Sequence, residues 1–199
     1  FQIDATGLIF LDIGSSTGGF TDCLLQKQAK KVYALDVGYG LLHEKLRRDP
    51  RVVPLERINI RYFSSQDLPE PIQGITIDVS FISLRLIFPV LDSLLPENGI
   101  CIALIKPQFE AGKNKVERGG LVKKRATHIQ VLEEVLRSAQ ENHLRLQGIT
   151  FSPIQGGEGN IEYLAYWRKD TYTFDKTEFG DIISKEVSKA HQYFHAQPE

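Results

Sequence analysis

At 199 residues the chain is long enough for one well-buried domain, and two full domains would be cramped. Hydrophobic residues make up 42% and charged residues 25%, an ordinary globular balance that argues against disorder. With 24 Lys and Arg against 25 Asp and Glu there is no global basic charge, so contact with nucleic acid has to come from local clusters. No apolar stretch approaches the roughly 18–20 residues that span a bilayer, and no signal peptide opens the sequence. The two cysteines, Cys23 and Cys101, do not form a disulfide framework and read as reduced core thiols of a cytosolic protein. The five histidines are scattered without zinc spacing, so no metal site is expected.

The apolar run Leu8–Asp12 is the first predicted strand, and it breaks into a turn holding Gly14, Gly18 and Gly19. The predicted helix Gly19–Lys27 follows. A buried strand, a tight turn and a helix N-terminus form the unit with which doubly wound folds bind nucleotide-like cofactors. A dinucleotide fingerprint puts a glycine where this chain has Ser16, and the Gly-Lys-Ser/Thr of a phosphate-binding loop is absent. A strand-ending Asp12 followed by Gly-x-x-x-Gly fits a cofactor without phosphates, S-adenosylmethionine. Asp12, Gly14, Ser15, Ser16, Thr17, Gly18, Gly19 and Phe20 are its candidate contacts. An unliganded strand-to-helix turn is the plain alternative.

The second strand, Lys31–Asp36, ends in a carboxylate about 20 residues beyond the glycine turn, where it can accept both hydroxyls of a cofactor ribose. A strand-end turn residue is the competing reading. Val37 follows in Val-Gly-Tyr-Gly, whose glycines let the backbone run close under an adenosine; Asn59, beyond the third strand Val52–Leu55, completes the candidate cofactor set. A short helix, Leu42–Arg48, lies between these two strands.

The fourth strand, Gly74–Asp78, lies beside the first in a doubly wound sheet, across the switch point where ligands bind. Enzymes that methylate exocyclic amines carry Asn/Asp-Pro-Pro-Tyr/Phe here. This chain has Asp78-Val-Ser-Phe81, and a carboxylate facing the acceptor suits oxygen chemistry better. A helix Leu84–Leu94 leads to the fifth strand, Ile100–Lys106, which Pro107 stops. Lys106 reads either as a solvated strand end or as a reactive group. The segment 112–125 is polar and interrupts the α/β rhythm, as functional loops commonly do. Lys113, Lys115, Arg118, Lys123, Lys124 and Arg125 crowd it against Glu117 alone. Arg47, Arg48, Arg51, Arg57 and Arg61 form a second basic stretch. Phosphate contact and a solvated face both fit such runs.

The helix Ala126–Asn142 precedes the sixth and seventh strands, Leu144–Phe151 and Ile161–Trp167. Glu162 sits in the seventh, among apolar and aromatic neighbours. A carboxylate there is costly unless paired; Lys106 would serve as the partner, and an exposed edge strand would also explain it. Apolar residues at Phe179, Ile182, Ile183, Val187, Ala190 and Phe194 make Phe174–Phe194 an amphipathic terminal helix. It packs on the sheet or forms a dimer contact.

Over Phe1–Arg168 the chain resembles the methyltransferase domain of the TlyA (haemolysin A) family, within the FtsJ-like ribosomal RNA 2′-O-ribose methyltransferases. The resemblance rests on Leu-Asp-Ile-Gly-Ser-Ser-Thr-Gly-Gly-Phe-Thr, Leu-Asp-Val-Gly-Tyr-Gly, Asp-Val-Ser-Phe-Ile-Ser-Leu, Ile-Lys-Pro-Gln-Phe-Glu and Glu-Gly-Asn-Ile-Glu-Tyr-Leu. It implies a Rossmann-like class I fold over 1–170, with a mostly parallel seven-stranded sheet and helices on both faces, and the terminal helix over 171–199. It also implies S-adenosylmethionine as cofactor, ribosomal RNA or a ribosomal subunit as partner, and no membrane. The family's Lys-Asp-Lys-Glu tetrad puts its last three members on Asp78, Lys106 and Glu162. Its first lysine and a small S4-like RNA-binding domain would lie upstream of Phe1. A lysine acts as base only when neutral. Asp78 and Glu162 alone favour the ammonium, so the upstream lysine would supply the opposing charge. The family's other name raises a rival, a membrane-lytic protein, and a catalytically inactive RNA-binding module is a second rival.

Overall fold

The computed structural model describes residues 1–171 and 178–195. Seven strands form one sheet: β1 (Ile9–Ile13), β2 (Lys31–Asp36), β3 (Val52–Glu56), β4 (Gly74–Ile77), β5 (Ile100–Ile105), β6 (Leu144–Phe151) and β7 (Tyr163–Lys169). Their order across the sheet is β3-β2-β1-β4-β5-β7-β6. Every neighbouring pair is parallel except those of β7, which runs antiparallel to both β5 and β6. This is the class I methyltransferase arrangement that the resemblance implied. Strand order reverses between β1 and β4, and the crevice beyond their carboxyl ends is where such sheets bind ligands.

Alternate residues of each strand serve opposite faces. In β1, Leu11 and Ile13 join the larger apolar core with Leu132, Val135 and Trp167, while Phe10 faces the smaller one with Leu24, Val32 and Leu46. The larger core lies under α3 (Phe88–Leu94), α5 (Arg125–Glu141) and α6 (Gly180–His195); the smaller lies under α1 (Gly19–Gln26) and α2 (Glu44–Arg47). In α6, Ile183, Val187 and Ala190 are fully buried against α5 and β6. Burial of the branched side chains of Ile183 and Val187 contributes about 2 kcal/mol each. Phe174, expected at the start of this helix, lies outside the described residues.

Several boundaries move, with consequences for chemistry. β1 runs one residue past Asp12 and β7 begins one residue after Glu162. The predicted helix 84–94 is split into a 3-10 turn at Leu84–Leu86 and α3, where Pro89 sits in the first turn, the place proline tolerates. Cys101 is buried in β5 as expected, but Cys23 is exposed on α1 and is not a core thiol. Among the described residues no helix is long and apolar enough to cross a membrane.

Candidate active site

β1 feeds a turn that passes close over the end of β4. A Cβ at Gly14 would stand 2.4 Å from the Asp78 carbonyl oxygen, and Gly14 itself has a φ of 77°. Ser16 holds a φ of 46°, unusual for a residue with a side chain and typical of ligand-clamping turns. Its N–H donates to Asp36 Oδ2 at 2.8 Å, and the Gly38 N–H donates to Asp36 Oδ1 at 2.7 Å. The Asp36 carboxylate therefore pins the turn after β1 to the turn after β2. Between these turns and β4 opens a cavity of about 490 Å³, lined by Gly14, Ser16, Asp36, Val37, Asn59 and Asp78, with Leu41 and Ile58 among its apolar walls.

Of the candidate cofactor contacts, Asp12, Ser15, Thr17, Gly18, Gly19 and Phe20 are not among the residues lining this cavity. Asp12 is a correction with a clear cause. Because β1 continues to Ile13, Asp12 points to the α1 side of the sheet and is only 1% exposed. It accepts hydrogen bonds from Thr21 Oγ1 at 2.6 Å and Thr76 Oγ1 at 2.8 Å, tying β1 to α1 and β4. Burial pushes its carboxyl up to about 6, against the pull of the two hydroxyl donors. The other five shape the turn: Ser15 N–H donates to the Leu35 carbonyl, the Thr17 carbonyl accepts from His43 N–H, and Gly18 caps α1 ahead of Gly19 and Phe20.

Asp78 follows β4, and Lys106 follows β5 as the residue that caps α4 (Pro107–Glu110). Lys106 Nζ lies 2.6 Å from Asp78 Oδ1 and donates to Ser80 Oγ at 3.2 Å. The contact with Asp78 is ionic rather than well directed, because Oδ1 is buried and has no hydrogen bond of good geometry. Glu162 is buried, and its partner is Gln108, whose Nε2 donates to Oε1 at 2.8 Å. The expected pairing with Lys106 is thus replaced by a longer-range attraction. Burial raises the Glu162 carboxyl, Gln108 and the Lys106 charge oppose that rise, and the Asp78 charge adds to it. The edge-strand explanation fails because β7 runs between β5 and β6. A Cβ at Gly156 would meet Glu162 Oε1 at 2.1 Å, so a side chain there would have to displace the carboxylate from its present position.

A second cavity, of about 330 Å³, is lined by Ser80, Phe81, Lys106, Gln108, Phe109 and Glu162 together with the neighbouring loops. Phe81 holds a φ of 65°, is 92% exposed, and tilts against Phe109 with ring centroids 4.9 Å apart. The two cavities share Ser80 and Phe81. Asp78 lines the first and Lys106 the second, so their ion pair stands at the junction. Sequence reasoning missed Ser80, Phe81, Gln108 and Phe109 as site residues, although all four lie inside the motifs that carry the resemblance.

The family model for FtsJ-like methyltransferases matches residues 1–169. The chain belongs to that family. It is 51% identical over 168 residues to YqxC of Bacillus subtilis, a protein named as a candidate rRNA methyltransferase, covering 83% of this chain and 59% of YqxC. It is 41% identical over 171 residues to the 16S/23S rRNA (cytidine-2′-O)-methyltransferase TlyA of Mycobacterium tuberculosis, covering 86% of this chain and 64% of TlyA. The chain therefore spans about three fifths of the length of these two relatives. A solved structure described as a candidate hemolysin from Streptococcus thermophilus superposes with a TM-score of 0.93 at 44% identity, covering 98% of this chain and 70% of that one.

Within this family domain the basic loop borders the second cavity through Val116 and Gly120. Lys113, Arg118 and Lys124 are exposed; Lys115 donates to Gln130 at 2.6 Å, Lys123 pairs with Glu117 at 3.3 Å, and Arg125 opens α5 and donates to Ser188 of α6. The second basic stretch is not an open strip. Arg47 pairs with Glu56, Arg48 with Glu44 and Arg51 with Asp49, while Arg57 covers the Tyr39 ring at 4.3 Å. Among the described residues no group of His, Cys, Asp and Glu could hold a metal ion.

Proposed function

We propose that this domain transfers a methyl group from S-adenosylmethionine to a ribose 2′-hydroxyl of ribosomal RNA, at a cytidine. The observation that carries the reading is the Asp78–Lys106 pair at the junction of two cavities, one suited to the cofactor and one to the acceptor. The larger cavity is lined by the carboxylates of Asp36 and Asp78 and by no lysine or arginine. That charge suits a cationic sulfonium amino acid and disfavours a phosphate-bearing cofactor. Asp36 would accept the ribose hydroxyls, Val37, Leu41 and Ile58 would flank the adenine, and Gly14 would let the chain pass close to the amino-acid end. Bound there, S-adenosylmethionine supplies an electrophilic methyl group.

The remaining chemistry falls to the chain. Phe81 and Phe109 offer an aromatic face on which an unstacked base can lie, a common way of holding a flipped-out nucleotide. The acceptor hydroxyl would then meet Lys106, whose neutral amine would take its proton as the new O–C bond forms and the methyl's bond to sulfur breaks, the neutral thioether being released. The charges of Asp78 and Glu162 would stabilise the ammonium that results, Glu162 being steadied by Gln108. A further lysine upstream of Phe1, as the resemblance implies, would favour the neutral amine. The test is to treat unmodified ribosomal subunits with full-length protein and cofactor and to map ribose methylation. A new 2′-O-methylcytidine is expected; methyl groups on bases alone would overturn the reading.

Two further outcomes probe the binding surfaces. Asp36→Ala should weaken S-adenosylmethionine binding by about 1–3 kcal/mol, the usual worth of a charged acceptor. Calorimetry measures this, and unchanged affinity would remove Asp36 from the site. Replacing Lys113, Lys115 and Arg118 together by Ala should weaken RNA binding while sparing the cofactor. The slope of log affinity against log salt should drop by roughly one for each phosphate that is no longer neutralised. Equal slopes in variant and parent would mean that the loop does not touch phosphate.

A further inference from the structure

We propose that Glu110 is a positioning residue that locks the loop carrying Asp78 to the loop carrying Lys106; the inference rests on the methyl-transfer reading. Glu110 touches neither cavity, yet it is only 4% exposed and its carboxylate is fully engaged. Oε2 accepts from Ser83 Oγ at 2.6 Å, and Oε1 accepts from the Leu84 N–H at 2.7 Å. Arg85 closes the arrangement: its Nε lies 3.6 Å from Oε2, and its Nη2 donates to the Glu110 carbonyl at 3.2 Å. Its Nη1 reaches Glu134 of α5 at 3.0 Å, anchoring the pair to the long helix.

Among the described residues, the other hydrogen bonds, ion pairs and ring contacts between these two segments are working contacts. Those are Asp78 with Lys106, Ser80 with Lys106, and Phe81 with Phe109. Lys106 has to release a proton before it can accept one, which changes its ion pair with Asp78, and the Phe81 ring has to admit a base. Contacts that change during a reaction cannot also fix its geometry. Glu110 lies four residues beyond Lys106, and Ser83 lies five beyond Asp78, so the brace sits behind the reacting groups. A buried carboxylate there is costly without partners and directional with them. It also accounts for Ser83 and Glu110, which the family motifs contain and the methyl-transfer chemistry leaves without a role.

The test compares Glu110→Gln, Glu110→Ala and Ser83→Ala in the full-length protein by amide hydrogen exchange, calorimetry and turnover. Amides of 79–84 and 108–111 should exchange at least tenfold faster, the Leu84 N–H most of all, while those of β1 and β2 stay protected. Affinity for S-adenosylmethionine should stay within about twofold, and KM for RNA should change little. Turnover should fall at least tenfold, with Glu110→Gln, which keeps one acceptor, falling between the parent and Glu110→Ala. Unchanged Leu84 protection overturns the proposal, and so does faster exchange with parental turnover. A loss of cofactor affinity in proportion to turnover would mean general unfolding and overturns it as well. If the parent itself transfers no methyl group, the methyl-transfer reading has failed and the exchange comparison alone judges the brace.

Discussion

Lys106→Met in the full-length protein should cut methyl transfer by a factor on the order of 100 to 10,000, the usual worth of a positioned general base. The substitution keeps the length and apolar stem of a side chain that is only 13% exposed, so folding should survive. It removes the one cation lying against Asp78 Oδ1 and the attraction on Glu162. Cofactor affinity should change by no more than a few-fold, because Lys106 lines the smaller cavity and not the larger one. Single-turnover measurement separates the two effects. Rapid transfer by the variant would show that the hydroxyl proton leaves by another route. Exchanging the upstream lysine that the family resemblance implies should also lower turnover with RNA affinity kept, since its positive charge would favour the neutral amine of Lys106.

The second large effect concerns stability and comes from Asp12. In the folded chain its carboxyl titrates near 6, against an ordinary value of 3.8, because burial disfavours the anion. The folded state therefore holds this proton to higher pH than the unfolded chain does. Below about pH 4 both states are protonated and the group contributes nothing to the pH dependence. As pH rises towards 6 the unfolded state ionises first and stability falls. Above 6 the cost is fully present, about 3 kcal/mol at about 1.4 kcal/mol per pH step. Asp12→Asn should be more stable than the parent by up to that amount at pH 7, with no gain at pH 4. The amide can still bond Thr21 and Thr76, whose hydroxyls donate or accept. Thermal unfolding across pH 4–7 measures the difference. S-adenosylmethionine affinity should hold within a few-fold, since Asp12 does not line the cavity; a large drop in affinity would return Asp12 to the binding site.

The order of strands and helices, the glycine turn after β1 and the chemistry-bearing ends of β2, β4 and β5 were legible in the sequence. Apolar runs of strand length, broken by Gly, Asp and Pro, are local signals, and backbone sterics read them locally. The motifs that carry the family resemblance were equally local. They singled out Asp78, Lys106 and Glu162, which the fold brings to neighbouring loops.

Which carboxylate faces the cavity and which is buried in the fold was decided by the tertiary structure. Asp12 and Asp36 look alike in sequence, each at the end of an apolar run. A one-residue extension of β1 turns Asp12 inward to Thr21 and Thr76, while Asp36 stays at the cavity. A residue inside a strand is covered by its neighbours on both sides while one beyond the end is open, so one residue more at the end of β1 is enough to bury Asp12. Partners separated by many residues were beyond local reading too. Gln108 meets Glu162 across 54 residues and Glu110 meets Leu84 across 26, and only packing of the loops beyond β4, β5 and β7 brings them together. The paired arginines of 47–51 carry the same lesson, since Arg47 finds Glu56 only because α2 packs on β3. Sequence alone determined the fold, the glycine turn after β1 and the place of the candidate side chains at the strand ends, because backbone preference and hydrophobic period are properties of neighbours. The pairing, burial and charge balance of those side chains were set by the tertiary structure, because each depends on what the fold brings within a few ångströms.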